Sequence, residues 1–457
     1  MEQDFSKGSV TKLILKLSIP IIIAQLVNTL YSIVDRIYIG HMPGVGQVAL
    51  TGIGLCLPIV TAVAAFSALI GYGGAPLSSI LRGHQDQDSA ERVLGNSVTA
   101  LVALGVLVPL LCYVFREPVL YLFGASDATY AYAEQYIRIY LLGSLPVMLT
   151  LGLNPFINAQ GFTGTGMITV AVGAVCNLVL DPVFIFVLDM GIAGAAVATV
   201  LSQCVSCLWV LWFFLRSRKN QMKVRRCYLK PNWTTMGRIC GLGVSSFIMQ
   251  ITESALTAVF SANLSKFGGD LYVTTMTVGA SIGQIVFMVT GGLGQGAQPV
   301  TGYNYGAGNY ARVRRCYRVL TSLCLGYGVV IWVVLQLFMP WFIAIFNDDP
   351  VLLETAVPML RIYFLMQFAF TLQSASQNTF VALGEAKKAT FFALFRKVFL
   401  LIPLIFLLPR LGFGVTGIFA AEPIADTISA LTCFLVFVRT SYRELKQKEL
   451  AQGQKEN

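Results

Sequence analysis

The sequence has little charge for its length. Its 457 residues include 32 Lys and Arg and 22 Asp and Glu, which together make 12%, about half the ~25% of a soluble globular domain. Apolar residues make up 56%. A soluble protein needs a charged surface, and a disordered chain needs low hydrophobicity and high charge. Both classes are therefore excluded, and the composition predicts a polytopic, all-α integral membrane protein.

The sequence also lacks several motifs of catalysis. No Gly-Lys dipeptide occurs, which excludes a Walker A loop in this chain. The two histidines, His41 and His84, fall in predicted loops and form no H-E-x-x-H motif. Cys204 and Cys207 form a C-x-x-C within an apolar stretch without a partner pair, and most of the ten cysteines lie in such stretches. We expect reduced, buried thiols, and an intramembrane enzyme is only a weak alternative.

Long uncharged runs indicate membrane spans. The segment between Arg36 and Arg82 holds 45 residues without Asp, Glu, Lys or Arg, more than twice the ~20 that one span needs. The stretch from Leu17 to Val34 is too long for the apolar region of a cleavable signal. Breaking the runs at Gly, Pro and Asn clusters predicts twelve helices. They cover residues 14–38, 48–77, 93–114, 130–157, 164–187, 192–215, 236–265, 272–298, 316–338, 353–380, 390–408 and 414–438.

The distribution of Lys and Arg predicts the orientation. Of the 32 basic residues, 26 fall on the side of the two termini and the alternate loops, and six on the other side. The positive-inside rule then places both termini in the cytoplasm. The net charge of +10 is explained by these loops, so we expect no nucleic acid partner.

The most basic loop, Arg216 to Lys230, lies halfway along the chain. The sequence thus predicts an N-lobe of helices 1–6 (residues 1–215), a basic cytoplasmic linker (216–235), a C-lobe of helices 7–12 (236–440) and a cytoplasmic tail (441–457). The linker is either a solvated loop that fixes topology or a site for lipid headgroups.

The chain matches itself when shifted by 223 residues. The register needs no gap from residue 71 to 208 and aligns Gly, Pro and Arg, which apolar composition alone would not align. Matched pairs include Gly73 and Gly296, Pro76 and Pro299, Arg138 and Arg361, Gly161 and Gly384, and Gly191 and Gly414. The sequence therefore predicts two homologous six-helix bundles with the same orientation. Membrane proteins built in this way commonly place a site between their halves and work by alternating access, which indicates a secondary transporter.

Charged residues inside membrane spans are functional candidates because each costs a few kcal/mol. In the first half, Tyr31 and Asp35 share one face of helix 1, and Asn177 and Asp181 share one face of helix 5. Oxygen ligands around two carboxylates suit H⁺ or Na⁺. Two other interpretations remain open: a polar cluster that only locks helix packing, and a neutral interfacial pair of Asp35 with Arg36.

The second half carries charges of both signs. Arg396 and Lys397 lie early in helix 11, and Glu422 and Asp426 share one face of helix 12. They form either a structural ion-pair network or part of a substrate cavity. We expect the acids of helix 12 to pair with the bases of helix 11. Glu253 in helix 7 has no basic residue in its own apolar run, so we expect it to contact cationic substrate.

Three segments resemble those of the multidrug and toxic compound extrusion (MATE) transporters, especially the bacterial MepA-like and DinF-related branches. They are NTLYSIVDRIYIG, CNLVLDPVFIF and FAAEPIAD. The resemblance covers residues 10–440 and implies a V-shaped pair of six-helix lobes in the bacterial inner membrane. It implies export of amphipathic, often cationic drugs in exchange for H⁺ or Na⁺ by a monomer in the lipid bilayer, without a cofactor.

The resemblance also implies the residues of a cation site. By motif, the residues that would couple the ion are Asp35, Asn177, Asp181 and Thr199, with Tyr31 nearby. The only metal implied is Na⁺, at Asp35, Asn177 and Asp181. Glu253 matches an acid of the Na⁺-coupled branch, but helix 10 lacks the Asp that this branch also has. A lipid-linked saccharide flippase of the same superfamily is the alternative. It should have a basic cavity, which the balanced charges of the second half oppose.

Overall fold

The structure, a computed structural model, describes residues 5–42, 45–123, 125–346 and 349–456. The ends of the predicted N-lobe and tail, residues 1–4 and 457, lie outside the described residues. The described part of the chain is nearly all helical and contains no strand. The prediction of an all-α membrane fold is confirmed.

In the described part of the chain, eight α-helices precede the linker. A π-helical segment, Val183–Val187, joins the last two. The helices are α1 (Val10–Gly40), α2 (Gly46–Gly83), α3 (Gln87–Val114), α4 (Arg116–Leu122), α5 (Asp127–Leu142), α6 (Ser144–Ala159), α7 (Thr163–Pro182) and α8 (Gly191–Arg216).

Among the residues described after the linker, nine α-helices follow a short 3₁₀ turn at Arg226–Leu229. Three π-helical segments, Phe395–Leu401, Pro409–Phe413 and Val438–Tyr442, interrupt the last ones. The helices are α9 (Trp233–Gly268), α10 (Asp270–Gly306), α11 (Tyr310–Ala344), α12 (Pro350–Tyr363), α13 (Gln367–Ala382), α14 (Ala386–Leu394), α15 (Ile402–Leu408), α16 (Gly414–Phe437) and α17 (Arg443–Glu456).

The helices account for the twelve predicted spans. Within the described residues, nine helices are long and apolar enough to cross a membrane. Two bent pairs add one span each: α5 with α6 at 60°, and α12 with α13 at 43°. The longest apolar stretch, 386–452, holds two of the predicted spans because its backbone turns at Gly412 (φ 97°) and Gly414 (φ 54°). Positive φ at these two positions is accessible to glycine at little cost.

The helices pack into two compact units. Residues 23–250 form the first, and residues 5–22 together with 251–456 form the second. The first half of α1 is therefore part of the second unit, and the first half of α9 is part of the first unit. Each unit has its own apolar core. In the first, α2 packs against α3, α5 and α6; in the second, α13 packs against α10, α11 and α16.

The internal repeat is visible in the helix boundaries. Equivalent helices begin 223 residues apart, at Gln87 and Tyr310, Asp127 and Pro350, Ser144 and Gln367, Thr163 and Ala386, and Gly191 and Gly414. The helix caps repeat as well. The Asp86 side chain accepts a hydrogen bond from Ser89 N, and the Asn309 side chain accepts one from Arg312 N. The prediction of two homologous six-helix bundles is confirmed.

The basic linker is anchored to the first unit. Gln221 N donates to Gln160 Oε1 over 2.7 Å, and Lys223 N donates to Glu91 Oε1 over 3.1 Å. Met222 between them is buried. Farther along, Asn96 Nδ2 donates to Tyr228 O. These bonds to α3 and α6 hold the linker backbone in place while its basic side chains remain at the surface.

Both ends of the chain are tied to the second unit at α11. The Arg312 guanidinium donates to three carbonyl oxygens of the N-terminal segment, those of Phe5 (2.9 Å), Lys7 (2.7 Å) and Gly8 (2.9 Å). Two residues farther along α11, Arg314 Nη1 bonds Glu449 Oε2 of α17 at 2.5 Å. The predicted tail is therefore largely a docked helix.

Candidate functional site

The candidate cation site lies in the first unit, on α1, α7 and α8. Tyr31 and Asp35 are one turn apart on α1. Asn177 and Asp181 occupy the last turns of α7, where Pro182 precedes the π-helical segment Val183–Val187. Proline lacks the N–H of a regular helix, and π-helical turns are frequent at functional sites. The wider turn begins at Val183, two residues after Asp181.

Asn177 is the centre of a buried hydrogen-bonded group. Its Nδ2 donates to Asp181 Oδ1 over 3.1 Å and approaches Thr199 Oγ1 of α8 at 3.5 Å. All three side chains are buried. The structure thus brings together the residues that the sequence grouped by motif, although Thr199 is 22 positions from Asn177.

The Asp35 and Asp181 carboxyl groups face one another within hydrogen-bonding reach. Asp35 Oδ1 and Asp181 Oδ2 are buried and accept no hydrogen bond from any described residue. Two ionised carboxylates in contact repel each other in a medium of low dielectric constant. A single proton held between them removes the repulsion and supplies the missing donor. Such a pair could hold a proton or another small cation.

A pocket lies beside this group. It encloses about 410 Å³ of atom-free space, part of it open to the exterior. Its polar lining consists of hydroxyl and amide side chains and contains no ionised group. They are Asn28, Tyr31, Thr150, Thr169, Asn177, Thr199, Ser202, Gln203 and Ser206. The pocket shares Tyr31, Asn177 and Thr199 with the candidate cation site, so a ligand here would lie next to the carboxylate pair.

The second unit contains a buried ion-pair cluster around Arg396. Its Nε contacts Asp426 Oδ1 and its Nη2 contacts Glu422 Oε1, both at 2.5 Å. The guanidinium also lies 4.5 Å from the centroid of the Phe370 ring. The planar fork of arginine suits two carboxylates at once. The expected pairing of helix 11 bases with helix 12 acids is confirmed for Arg396.

Lys397 pairs elsewhere. Its Nζ forms a salt bridge with Glu253 Oε2 of α9. The sequence did not predict this pair: Glu253 has a basic partner that its own apolar run does not contain. The reason is packing: the two residues are 144 positions apart and meet only through the fold. Both bases lie in the π-helical segment Phe395–Leu401.

The sequence interpretation missed most of the pocket lining. Asn28 lies one turn before Tyr31 on α1, and Gln203 lies one turn after Thr199 on α8. Their helical spacing from predicted site residues is the signal that could have identified them. No pattern in the sequence pointed to Phe370.

Comparison with known proteins agrees with this architecture. The MatE family model matches the chain twice, at residues 20–183 and 245–407, which together are more than half of it. Its two matches lie in the two halves of the predicted repeat.

Curated relatives match over nearly the full chain. The multidrug export protein MepA of Staphylococcus saprophyticus is 26% identical over 98% of both chains. MepA of Staphylococcus aureus is 25% identical over 94% of both chains.

Solved structures share the fold. A crystal structure of MATE in the bent conformation superposes with a TM-score of 0.90 at 23% identity, over 96% of this chain and 97% of that one. A MOP superfamily transporter from Pyrococcus furiosus also gives a TM-score of 0.90 at 23% identity, over 97% and 98% of the two chains. With the family model matching both repeats, the chain belongs to the MatE family, whose members are transporters and not enzymes.

Proposed function

We propose that this chain is an antiporter that exports amphipathic, often cationic compounds by alternating access, in exchange for H⁺ or Na⁺. Relatives over nearly the full chain are named multidrug export proteins. We place the protein in a bacterial inner membrane, where it acts as a monomer surrounded by lipid. Family membership indicates that the chain is a transporter. The coupling ion, the substrate class and the orientation are inferred from this chain's own residues.

The facing carboxyl groups of Asp35 and Asp181 carry the proposal. Each has a buried oxygen without a donor among the described residues, so the pair requires a cation to be stable when both are ionised. Binding and release of that cation change the local charge by one. A transporter can use this change if the two conformations bind the cation with different affinity.

The geometry favours H⁺ over Na⁺ as the coupling ion. Asn177 directs its Nδ2, a donor, at Asp181 Oδ1. A sodium ion needs oxygen ligands, and the amide oxygen of Asn177 would have to turn toward the carboxylates to provide one. A proton between the two carboxyl groups needs no such rearrangement.

The ends of the chain support cytoplasmic termini. In the second unit, the N-terminal segment bonds Arg312 and the C-terminal helix bonds Arg314 of the same helix. The described segments nearest the two termini, around Phe5 and Glu449, therefore lie at one end of that unit, as an even number of spans requires. Arg396 and Lys397, counted among the 26 basic residues of this side, are buried in ion pairs. The remaining 24 against six still follow the positive-inside rule.

The charge balance of the second unit opposes the flippase alternative. A lipid-linked saccharide carries a pyrophosphate and requires uncompensated basic residues. Arg396 and Lys397 are both paired, and the cluster contains three acids and two bases. Its excess of negative charge suits a cationic substrate instead.

Gradient-driven ethidium transport in proteoliposomes tests the proposal. Asp35→Asn and Asp181→Asn keep the side-chain volume and remove the titratable group. We expect near-background transport driven by a pH gradient in both variants, with ethidium binding retained. Asp189→Asn is the matched control because this exposed residue lies in the same region, and asparagine tolerates its φ of 50°. Wild-type transport in both Asn variants would contradict the proposal. Transport driven by a Na⁺ gradient alone would identify Na⁺, and not H⁺, as the coupling ion.

A further inference from the structure

The salt bridge between Lys397 and Glu253 is asymmetric. The Lys397 side chain is only 5% exposed, whereas the Glu253 side chain is 67% exposed, although Glu253 lies in the middle of α9. A buried amine thus extends from within the second unit to neutralise an accessible carboxylate. The accessible side of Glu253 is open to a second cation, while Lys397 approaches from the interior.

The surrounding cluster has one more acid than bases. Arg396 uses its Nε and Nη2 on Asp426 and Glu422, and Lys397 is held by Glu253. Glu422 Oε2 is buried and accepts no hydrogen bond from any described residue. Glu422 also lies within electrostatic range of both Lys397 and Glu253. A second acceptor for the Lys397 ammonium group is therefore present in the same cluster.

We propose that Lys397 is a specificity-determining residue, a tethered cation that occupies the Glu253 carboxylate until a cationic substrate displaces it. This inference rests on the proposed function. The displaced ammonium group moves to Glu422, whose free oxygen accepts it. The substrate cation then pairs with Glu253, so each carboxylate has a positive partner and the excess negative charge of the cluster is neutralised.

The substrate class follows from this exchange. The incoming group must replace the single positive charge of an alkylammonium, so the site selects monocations. A neutral compound offers nothing to replace Lys397 and gains nothing at Glu253. Because the departing cation is covalently attached, it returns when the substrate leaves, and the competition does not depend on the concentration of any soluble ion.

Equilibrium binding of ethidium to the purified full chain in lipid nanodiscs tests the inference without any ion gradient. Lys397→Met removes the competing charge and should tighten ethidium binding by roughly tenfold, the equivalent of about 1.4 kcal/mol. Lys397→Arg should weaken it, because a guanidinium holds a carboxylate through two parallel bonds. The double variant Lys397→Met with Glu253→Gln should bind no better than Glu253→Gln alone. A neutral dye, Nile red, should bind all four variants alike.

Three results would overturn the inference: a gain in the double variant, equal changes for ethidium and Nile red, or unchanged or tighter ethidium binding by the Arg variant. The Arg variant keeps the charge and so decides the matter even if the Met variant does not fold. If ethidium binds the wild type and both Lys397 variants with equal affinity, this inference alone is overturned. Absence of ethidium binding in the wild type and both Lys397 variants would overturn it together with cationic export.

Discussion

Arg396 and Lys397 are adjacent in the chain, yet they bind carboxylates on two different helices. Arg396 contacts both acids of α16, and Lys397 contacts Glu253 of α9. The π-helical segment that contains them therefore links two helices that are far apart in sequence.

Removing the Arg396 charge should destabilise the second unit. Arg396→Met leaves Glu422 and Asp426 buried beside each other without their partner, which costs about 3–5 kcal/mol. We expect a lower melting temperature and a lower yield of monodisperse protein. Adding Glu422→Gln and Asp426→Asn should recover much of the loss. Arg410→Met, at an exposed position of the same unit, is the control and should leave the melting temperature unchanged. Equal melting of Arg396→Met and wild type would refute the structural role.

Close contact between α2 and α9 within the first unit requires glycine. A Cβ on Gly243 would lie 1.7 Å from Leu69 O, whereas a Cβ on Gly241 would meet no atom within 4 Å. Gly243→Ala should therefore destabilise the protein by about 1–3 kcal/mol or more. Gly241→Ala, on the same helix, should be neutral or stabilising by up to about 1 kcal/mol. Thermal unfolding in detergent measures both, and a stable Gly243→Ala variant would contradict the observed packing.

Arg312 should control the order of the N-terminal segment. Arg312→Leu removes three hydrogen bonds to backbone carbonyls, and a bond from a charged donor contributes about 1.5–3 kcal/mol. Amide hydrogen exchange of the segment around Phe5 to Gly8 should accelerate by roughly tenfold or more. The exposed Arg315 lies on the same helix, and Arg315→Leu is the control. Unchanged exchange in the Arg312 variant would show that Phe5, buried beside Tyr303, is sufficient to hold the segment.

The native residue Cys227 provides a test of topology without an added cysteine. It is exposed in the linker, whereas the other cysteines are buried or half-buried. If the linker is cytoplasmic, a membrane-impermeant maleimide should label the protein in inside-out vesicles and not in intact cells. Cys227→Ser should abolish the labelling. Labelling of Cys227 in intact cells would reverse the proposed orientation.

Much of the fold could be predicted from the sequence, because the length of a local apolar stretch and the Gly and Pro residues near it determine where a helix begins and ends. The repeat predicts equivalent helix starts, which are found at Gln87 and Tyr310. Gly161 and Gly384, which the repeat also matches, both adopt positive φ, 88° and 79°. The breaks within the fourth and tenth predicted spans were missed, because a bend between two apolar helices leaves the hydropathy unchanged. The π-helical turns were missed for the same reason.

The two candidate sites differ in how far the sequence could predict them. Asn177 and Asp181 were found because residues one turn apart must share a helix face. The partner of Glu253 was not predicted, because α9 and the segment after α14 meet only through packing, and the two paired residues are 144 positions apart. Helical periodicity predicts which residues lie together on one helix, but it cannot show which distant helix packs against them.

The division of α1 between the two units has a consequence for biogenesis. Its first half packs on α10, where Ser18 Oγ donates to Leu293 O over 3.4 Å and a Cβ on Gly296 would lie 2.2 Å from Ser18 Oγ. During synthesis these partners emerge more than 270 residues later. The start of the first membrane helix must therefore remain inserted without its final neighbours until α10 is made. A fragment that ends at the linker would lack them permanently, so the two halves should not mature as independent proteins.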